Sequence, residues 1–554
     1  MYHLHANSLR KFHEQTSEAT CSGAMFVTPE IIDEVAGVCH CAIIYEKDVD
    51  FGNITTVDPP SFSLAEPLPS QRIDSDNLEH LQPDQQKQIL ELIDEFPSVF
   101  SDIPGLCTAV EHEIPLIEGF RPRVMRAYKV PLKYQADVDK QISELLRLGF
   151  IEPSISPQVS PLVCVLKPKD KNGHQAIRTC VDYRYVNKYT KNSASVLEDI
   201  STIIQEVGKS HYISKFDANS GYHQCPVKET DRWLTAFVHG TSVYHWCRTP
   251  FGMKTSGDTY VRSLRRVLQP VSEFTKSYVD ETAVYSNTWC EHLAHLRRYL
   301  QLIKASGFTL GLRKCEFAKS SITFLGHIIG SGKRSIDPSR VYEAVVKLKY
   351  PETKKAVRRL VGFFSYWREY IPSFSEIAKP LTDLTMKRVP ERIPFNQGAA
   401  NALEKLKLLL CEAVKQPLSI IDMSKPFTIH CDSSNFSVGS CLSQNVDGKD
   451  YPVAFASAKL TKTQQGWSTI EKEAYAALWS LQKFKQWIFG NTVTLHSDHN
   501  PITFLTETTP KSAKLMRWSL AIQEFDVHFK YKRGDMNTVA DCLSRDVLFE
   551  DDSP

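Results

Sequence analysis

Three acidic residues near the middle of the chain, Asp217, Asp280 and Glu281, are placed as ligands of divalent cations would be. Asp217 ends the strand-like run His211–Asp217, and the other two lie at the centre of Ser277–Tyr285, where two short apolar arms predict a β-hairpin. Carboxylates that converge from adjacent strands suit two hard cations, which hold the attacking and leaving oxygens in phosphoryl transfer. Strand ends and turns also favour Asp for structural reasons, so the spacing alone leaves both interpretations open.

A second set of acids lies towards the C-terminus and consists of Asp432, Glu473, Asp498 and Asp541. The first and third follow strand-like runs, and the second lies within a helical pattern. Four acids on two strands and two helices can gather a two-metal site for phosphodiester hydrolysis. Four acids within 110 residues are common, so the residues around them must decide.

The elements that must position these acids change in kind along the chain. Helical patterns at 76–96 and 133–148 are followed by strand-like runs at 161–166 and 177–181. Residues 341–415 have a mostly helical pattern. The order strand, strand, helix, strand over 427–496 then predicts a separate α/β domain. The fold class expected from this order is a multidomain α+β protein.

The charge composition indicates a type of binding partner only when charges are counted separately for each segment of the chain. The 554 residues carry a formal net charge of +2, which by itself argues against a polyanion as ligand. Residues 1–120, however, hold 5 basic and 21 acidic side chains, whereas residues 121–360 hold 39 and 21. A basic block of this size can bind a polyanion through phosphate contacts, although a solvated basic surface is the alternative.

Other classes of protein are disfavoured. No stretch approaches the roughly 18 consecutive apolar residues that a membrane span needs, so we expect no membrane partner. The 14 cysteines are scattered singly, which disfavours a disulfide framework or a zinc ribbon and suits a reducing compartment.

Around the first acids the sequence resembles the reverse transcriptases of gypsy-type LTR retrotransposons. The matching segments, in the family's order, are Ile151–Pro157, Arg178–Arg184, Phe216–Gln224, Pro250–Met253, Tyr278–Glu281 and Phe324–His327. The resemblance implies a right-hand polymerase with fingers, palm and thumb.

The resemblance also implies roles for single residues. Asp217 and Asp280, with Glu281 beside them, would hold two Mg²⁺ ions, with Mn²⁺ as the alternative metal. Arg178 would contact the triphosphate of the incoming deoxynucleotide, and Tyr222 would lie under its sugar and exclude a 2′-hydroxyl. One departure from the family is Pro168, which stands at a position that is usually basic. Two further departures bear on the active site: the family has Asp where this chain has Glu281, and Asp258 replaces a neutral residue near the nascent base pair.

The second set of acids lies in segments that resemble the RNase H domain which follows reverse transcriptase in the same elements. The matches are Cys431–Ser434, Tyr451–Phe455, Glu471–Glu473, Ser497–His499 and Val539–Arg545. The resemblance implies that Asp432, Glu473, Asp498 and Asp541 hold two metal ions and hydrolyse the RNA strand of an RNA–DNA hybrid. Of the two glutamates in Glu471–Glu473, Glu473 is assigned the catalytic role and Glu471 a surface position.

These observations together predict a Pol polyprotein fragment. We expect a leader at 1–75, a reverse transcriptase at 76–340, a connection at 341–424, an RNase H domain at 425–546 and a tail at 547–554. The expected partners are an RNA template, a DNA primer, an RNA–DNA hybrid and deoxynucleoside triphosphates, with a homodimer left open. We expect the protein in the cytoplasm within a virus-like particle, with the nucleus as the alternative.

Two other functions stay open at this point. Glu281 and Asp258 would suit an RNase H whose polymerase site has decayed. A chain that retains the fold without either activity would be a nucleic-acid-binding protein.

Overall fold

The computed structural model describes residues 68–73, 77–166, 175–193, 197–497 and 512–531. The predicted acids Asp498 and Asp541 lie outside these ranges, as do most of the predicted leader and the whole predicted tail. The chain divides into two compact units, one formed by residues 1–198 and 212–319 and the other by residues 199–211 and 320–554. No helix in the described ranges is long and apolar enough to cross a membrane.

The described elements are those of a mixed α+β protein. In chain order the helices are α1 (Pro69–Arg72), α2 (Pro83–Asp94), α3 (Gln135–Arg147), α4 (Arg184–Tyr189), α5 (Ile200–Val207), α6 (Ser256–Leu268), α7 (Trp289–Ser306), α8 (Pro338–Lys347), α9 (Lys354–Tyr366), α10 (Phe374–Ile377), α11 (Lys379–Asp383), α12 (Gln397–Lys415), α13 (Lys462–Gln465), α14 (Thr469–Ile488) and α15 (Ala513–Ile522). The strands are β1 (Ile151–Pro153), β2 (Ser160–Leu166), β3 (Ile177–Val181), β4 (Tyr212–Asp217), β5 (Phe237–His239), β6 (Ser242–Trp246), β7 (Thr275–Tyr278), β8 (Glu281–Ser286), β9 (Glu316–Lys319), β10 (Ile322–Phe324), β11 (His327–Gly330), β12 (Lys333–Ile336), β13 (Leu418–Ser419), β14 (Phe427–Ser433), β15 (Ser437–Val446), β16 (Lys449–Lys459), β17 (Val493–Ser497) and β18 (Val527–Tyr531).

The described residues of the first unit form two sheets. One has the order β1-β6-β5-β2-β3, and the other the order β7-β8-β4-β9. Strands β7 and β8 form the hairpin that the sequence predicts, with Tyr278 opposite Glu281. The buried face of the second sheet packs its aromatic residues against α6 and α7, with Phe216 4.7 Å from Tyr299 between ring centroids. This packing fixes the strand ends that carry the first set of acids.

Helix α7 shows how the sequence sets its own boundaries in this unit. Thr288 and Glu291 form a capping box at its start, and Gly307 follows its last residue with φ of 77°. A β-carbon on Gly307 would also lie 2.2 Å from the carbonyl oxygen of Leu106. Only glycine fits there without strain.

The described part of the second unit contains α5, the small sheet β10-β11-β12-β13 and the helices α8 to α12, which fill the stretch predicted to be mostly helical. It ends with a five-stranded sheet in the order β16-β15-β14-β17-β18. Strands β14, β17 and β18 run parallel, and β15 and β16 are antiparallel additions at the edge. Helix α14 covers this sheet with an apolar face that includes Leu481 and Phe484.

Strand β15 was not predicted from the sequence, and its composition explains why. Its first eight residues are all buried, yet four of them are Ser or Gln, so neither alternation nor an apolar run marks it. Pairing with β14 on one side and β16 on the other satisfies its backbone. Its small side chains can then be buried beneath neighbours that the local sequence does not show.

Arg334 on β12 is a buried cation that joins distant parts of the second unit. Its side chain is 1% exposed, and its guanidinium pairs with Glu369 at 3.0 Å. A second guanidinium nitrogen donates to the carbonyl oxygen of Val453 on β16 at 2.8 Å. The group also lies 5.4 Å from the ring centroid of Tyr370. The burial of this charge is therefore offset by an acid, a carbonyl and a ring.

Replacing Arg334 by methionine should destabilise the protein. The change leaves Glu369 and the Val453 carbonyl without this donor, which should lower the free energy of unfolding by about 3 kcal/mol. Urea denaturation followed by tryptophan fluorescence measures the change. The matched control is Arg340→Met, because Arg340 is half exposed and lies 3.8 Å from Asp337, so its loss should cost about 0.5 kcal/mol or less. Equal effects of the two substitutions would contradict this assignment.

Candidate active sites

The first set of acids is brought together by strand register. Asp217, the last residue of β4, lies directly opposite Glu281, the first residue of β8. Asp280 lies in the two-residue turn between β7 and β8, beside Val279. Like charges directly opposite each other on neighbouring strands repel. A cation bound beside Asp217 and Glu281 would therefore reduce the repulsion between them.

The turn itself is strained. Val279 has φ of 56°, in the left-handed region that β-branched residues rarely adopt. Such a conformation costs about 1–3 kcal/mol and persists only where the surroundings impose it. Here the hairpin pairing on both sides of the turn imposes it, and the turn holds Asp280 next to the paired acids.

A lysine supplies a cation at Asp217 in this structure. The Lys314 ammonium lies 2.8 Å from Oδ1 of Asp217. Its 3₁₀ helix, Leu312–Lys314, is fixed to the strand end because the N–H of Gly311 donates to the Asp217 carbonyl oxygen at 3.1 Å. No local pattern in the sequence marks Lys314, because 97 residues separate it from Asp217 and only the folded chain brings the two side chains into contact.

Tyr222 lies beside this group of acids. Burial, together with the negative charges of Asp280 and Asp258, raises the pKa of Tyr222 to about 12. Its ring centroid is 5.1 Å from that of Phe251. A β-carbon on Gly257 would lie 3.5 Å from its hydroxyl. The structure thus brings Tyr222 close to the first turn of α6 and within reach of the Asp280 charge. Its predicted position under the sugar of a nucleotide stays a prediction.

Asp258, one of the two departures from the family pattern, has a local structural role. It lies in the first turn of α6, where a carboxylate interacts favourably with the positive end of the helix dipole. Its charge nevertheless acts on Tyr222, as the raised pKa shows. Asp258 therefore lies close enough to Tyr222 for its charge to raise the pKa of that side chain, while its effect on a nucleotide stays a prediction.

Arg178 lies on β3, at the end of the other sheet of the first unit, and its side chain is exposed. Burial lowers the pKa of His223 to about 4, and the positive charges of Arg248 and Arg178 act in the same direction. The charge of Arg178 therefore acts on His223, which directly follows Tyr222 in the chain. The contact with a triphosphate stays a prediction.

Two acids of the second set meet in the second unit. The backbone N–H of Ser433 donates to Asp432 Oδ1 at 2.7 Å and also lies 3.2 Å from Glu473 Oε1. The Ser433 hydroxyl donates to the same oxygen of Glu473 at 2.6 Å. One serine therefore binds both carboxylates and holds them side by side, one on β14 and the other on α14.

The neighbouring glutamate Glu471 has a different environment. It forms the capping box of α14 with Ser468 and pairs with Lys514 at 3.2 Å. Glu473, by contrast, is 4% exposed. Its position beside Asp432 agrees with the sequence-based choice of Glu473, while the catalytic role itself stays a prediction. Asp498 and Asp541 lie outside the described residues.

The donor set fits hard divalent cations, with part of the coordination left to a substrate. Carboxylate oxygens are the ligands that Mg²⁺ prefers, and it usually binds to one or two of them plus substrate phosphates. Within the described part of the chain, no group of three or more His, Cys, Asp or Glu is arranged to hold a metal ion. Among the described residues, the first site offers the carboxylates of Asp217, Asp280 and Glu281, and the second offers those of Asp432 and Glu473.

Family models match both candidate sites. Residues 167–329 match the model described as reverse transcriptase (RNA-dependent DNA polymerase), which includes Asp217, Asp280 and Glu281. Residues 422–525 match the model described as an RNase H-like domain found in reverse transcriptase, which includes Asp432, Glu473 and Asp498. The order of the two domains is the predicted one.

Two relatives from Drosophila melanogaster extend the similarity along the chain. The chain is 33% identical over 480 residues to the retrovirus-related Pol polyprotein from transposon opus, which covers 84% of this chain and 47% of the relative. It is 31% identical over 456 residues to that from transposon gypsy, with 80% of this chain and 43% of the relative covered. The chain thus spans about half the length of the curated relatives it matches.

Solved structures show the same fold. The foamy viral protease-reverse transcriptase in complex with dsDNA superposes with a TM-score of 0.70 at 22% identity, covering 84% of this chain and 97% of the other. The same enzyme in complex with RNA/DNA hybrid gives a TM-score of 0.66 at 22% identity, covering 88% and 65%. The predicted fold class is therefore confirmed. The chain therefore contains a reverse transcriptase domain followed by the RNase H-like domain found in reverse transcriptases, and its relatives are Pol polyproteins of gypsy-type and other LTR transposons.

Proposed function

We propose that this chain is an RNA-directed DNA polymerase that also has ribonuclease H activity. The observation that carries the polymerase is the strand register that sets Asp217 opposite Glu281, with Asp280 in the adjoining turn beside Tyr222. The corresponding observation for the nuclease is the single serine that binds both Asp432 and Glu473. Both arrangements supply neighbouring acids, and these support a metal-assisted mechanism for making or cutting a phosphodiester.

In the polymerase, the proposed metal ligands are Asp217 and Asp280. Bound Mg²⁺ would stabilise the charges that develop on the attacking and leaving oxygens. Glu281 would add negative charge beside these ligands, and Tyr222 would limit the space below the sugar of the nucleotide. Arg178 would offset the charge of the triphosphate.

In the nuclease, Asp432 and Glu473 would hold Mg²⁺, with Asp498 and Asp541 as the remaining predicted ligands. The two described carboxylates are already oriented by Ser433. Orientation of this kind reduces the reorganisation that metal binding requires. The 2′-hydroxyls of the RNA strand would distinguish a hybrid from duplex DNA.

The proposed partners are a template–primer duplex, an RNA–DNA hybrid and deoxynucleoside triphosphates. Support comes from the basic block, where residues 121–360 carry 39 basic and 21 acidic side chains. Phosphate contacts from such a block make binding strongly dependent on salt. The foamy viral enzyme of the same fold has been solved with dsDNA and with an RNA/DNA hybrid.

A second candidate function has its own supporting observation. Asp258 and Asp280 both act on Tyr222, and Glu281 is a methylene longer than the family's Asp. An added charge and a displaced carboxylate would both weaken nucleotide binding, and a misplacement of about 1 Å can cost on the order of 100-fold in rate. An RNase H with a silent polymerase site is therefore the alternative.

Primer extension on an RNA template separates the two candidates. If Asp217 and Asp280 are the metal ligands, the wild type should extend a primer, and Glu281→Asp should change the rate by less than about ten-fold. The matched control Asp280→Asn should abolish extension. If the wild type does not extend the primer but Glu281→Asp does, the alternative is supported. If neither protein extends the primer, the proposed polymerase function is wrong.

Cleavage of an RNA–DNA hybrid tests the choice between the two neighbouring glutamates. Glu473→Gln should lower the cleavage rate by about 100-fold or more, because it removes a proposed metal ligand. Glu471→Gln should stay within about two-fold, since Gln can still accept from Ser468 at the helix start. The reverse ranking, or equal rates for both variants, would show that the assignment is wrong.

Removing the lysine at Asp217 should strengthen metal binding at the polymerase site. Lys314 is largely exposed, so its ion pair contributes about 0.2–1 kcal/mol. Lys314→Gln should therefore lower the Mn²⁺ dissociation constant by up to about five-fold. Titration calorimetry in an Asp432→Asn, Asp498→Asn background reports this site.

Arg313→Gln serves as the control for this titration, because it removes the same charge from the same 3₁₀ helix. Its effect should be smaller than that of Lys314→Gln. Equal effects of the two substitutions would mean that metal affinity depends on the total charge near the site and not on the contact between Lys314 and Asp217.

A further inference from the structure

The turn that follows Asp432 is held by a residue from outside the RNase H match. Strand β14 ends at Ser433, and β15 begins at Ser437. Between them, the Ser434 hydroxyl oxygen accepts from the N–H groups of Phe436 at 3.2 Å and Ser437 at 3.1 Å. The Ser434 hydroxyl therefore closes this turn from within.

Glu376 on α10 binds the turn from the other side. Its Oε2 accepts from the Ser434 hydroxyl at 3.1 Å and from the Ser437 hydroxyl at 2.7 Å. One carboxylate oxygen thus joins the two ends of the turn. Hydrogen bonds to an ionised acceptor are stronger than those between neutral groups.

Further contacts fix α10 and α11 beside this turn. Ser375 exchanges two hydrogen bonds of 2.9 Å with Ser457 on β16. The ammonium of Lys379 lies 3.4 Å from the ring centroid of Phe436, at the tip of the turn. Glu376 therefore acts from a support that is anchored to the same sheet.

The turn continues directly into the paired carboxylates. Ser433, which binds both Asp432 and Glu473, precedes Ser434 in the chain. A shift of Ser434 would move the Ser433 backbone and with it the spacing of the two acids. We infer that Glu376 is a positioning residue for the ribonuclease H site: it holds the Ser433–Ser434 backbone so that Asp432 and Glu473 bind metal together.

This inference rests on the proposed nuclease function and adds a contribution from residues before the RNase H match, which begins at residue 422. Mutation of outer partners of metal ligands typically costs about 10–100-fold in metal affinity or activity. Glu376 is one step further out, so the expected effect lies at the lower end of that range. The affinity for hybrid should not change, because Glu376 acts through the metal ligands.

Manganese binding tests the inference without relying on catalysis. In the full chain carrying Asp217→Asn and Asp280→Asn, titration calorimetry reports Mn²⁺ at the nuclease site. Glu376→Ala should weaken this binding by about ten-fold. Ser437→Ala, which removes the shorter hydrogen bond from the other partner, should weaken it in the same direction. Glu376→Gln, which keeps an acceptor oxygen, should stay within about three-fold of the parent protein.

Glu404→Ala is the matched control. Glu404 lies on α12, is largely exposed and pairs with Lys407. Its substitution should leave Mn²⁺ binding unchanged. If Glu376→Ala and Ser437→Ala, both folded by thermal melting, bind Mn²⁺ like Glu404→Ala, the positioning role is wrong. If Glu376→Ala does not fold, the test rests on the Mn²⁺ affinities of Ser437→Ala and Glu376→Gln. The positioning role is then wrong if Ser437→Ala binds Mn²⁺ like Glu404→Ala.

Hybrid cleavage then separates this inference from the proposed function. In the otherwise wild-type chain, Glu376→Ala should lower kcat by about ten-fold and leave KM unchanged. Unchanged kcat alongside loss of cleavage in Asp432→Asn would refute the positioning role and keep the nuclease. Absence of cleavage in the wild type would refute the nuclease, and the Mn²⁺ titration would still decide whether Glu376 positions the acids.

Discussion

Carboxylates held close together repel each other unless a cation or hydrogen-bond donors lie beside them, and this constraint organises both candidate sites. In the first unit, strand register places Asp217 opposite Glu281, and Lys314 supplies a charge at Asp217. In the second unit, Ser433 supplies an N–H and a hydroxyl to Asp432 and Glu473. A charged group and a neutral group thus solve the same electrostatic problem in two different folds.

The two solutions have different consequences for metal binding. The Lys314 ammonium lies against Oδ1 of Asp217, so a metal ion bound to the same carboxylate would be repelled by a neighbouring positive charge. A serine hydrogen bond can remain while metal binds to the other carboxylate oxygens, so it prepares the pair without competing. The strained turn at Val279 and the turn closed by Ser434 are the backbone counterparts of these arrangements. In both, the acid is fixed by a short connection between strands rather than by a flexible loop.

Much of this could be predicted from the sequence, and the omissions share one physical cause. The hairpin around Asp280, the helix carrying Glu473 and the order of the two domains follow from local pattern and motif. Lys314, Glu376 and Arg334 did not follow, because their partners lie 97, 58 and 119 residues away. The sequence pattern does not predict strand β15, because many of its buried residues are small or polar. Pairing across such separations depends on the folded sheet, which no local pattern contains.

The two proposed metal sites lie in different compact units of the chain, so each should be open to inactivation without loss of the other. Measuring primer extension and hybrid cleavage side by side in Asp217→Asn and Asp432→Asn tests this most directly. If this assignment of the two sites is right, Asp217→Asn abolishes extension and leaves cleavage intact, and Asp432→Asn does the reverse. Loss of both activities in either variant, or loss of neither, would contradict it.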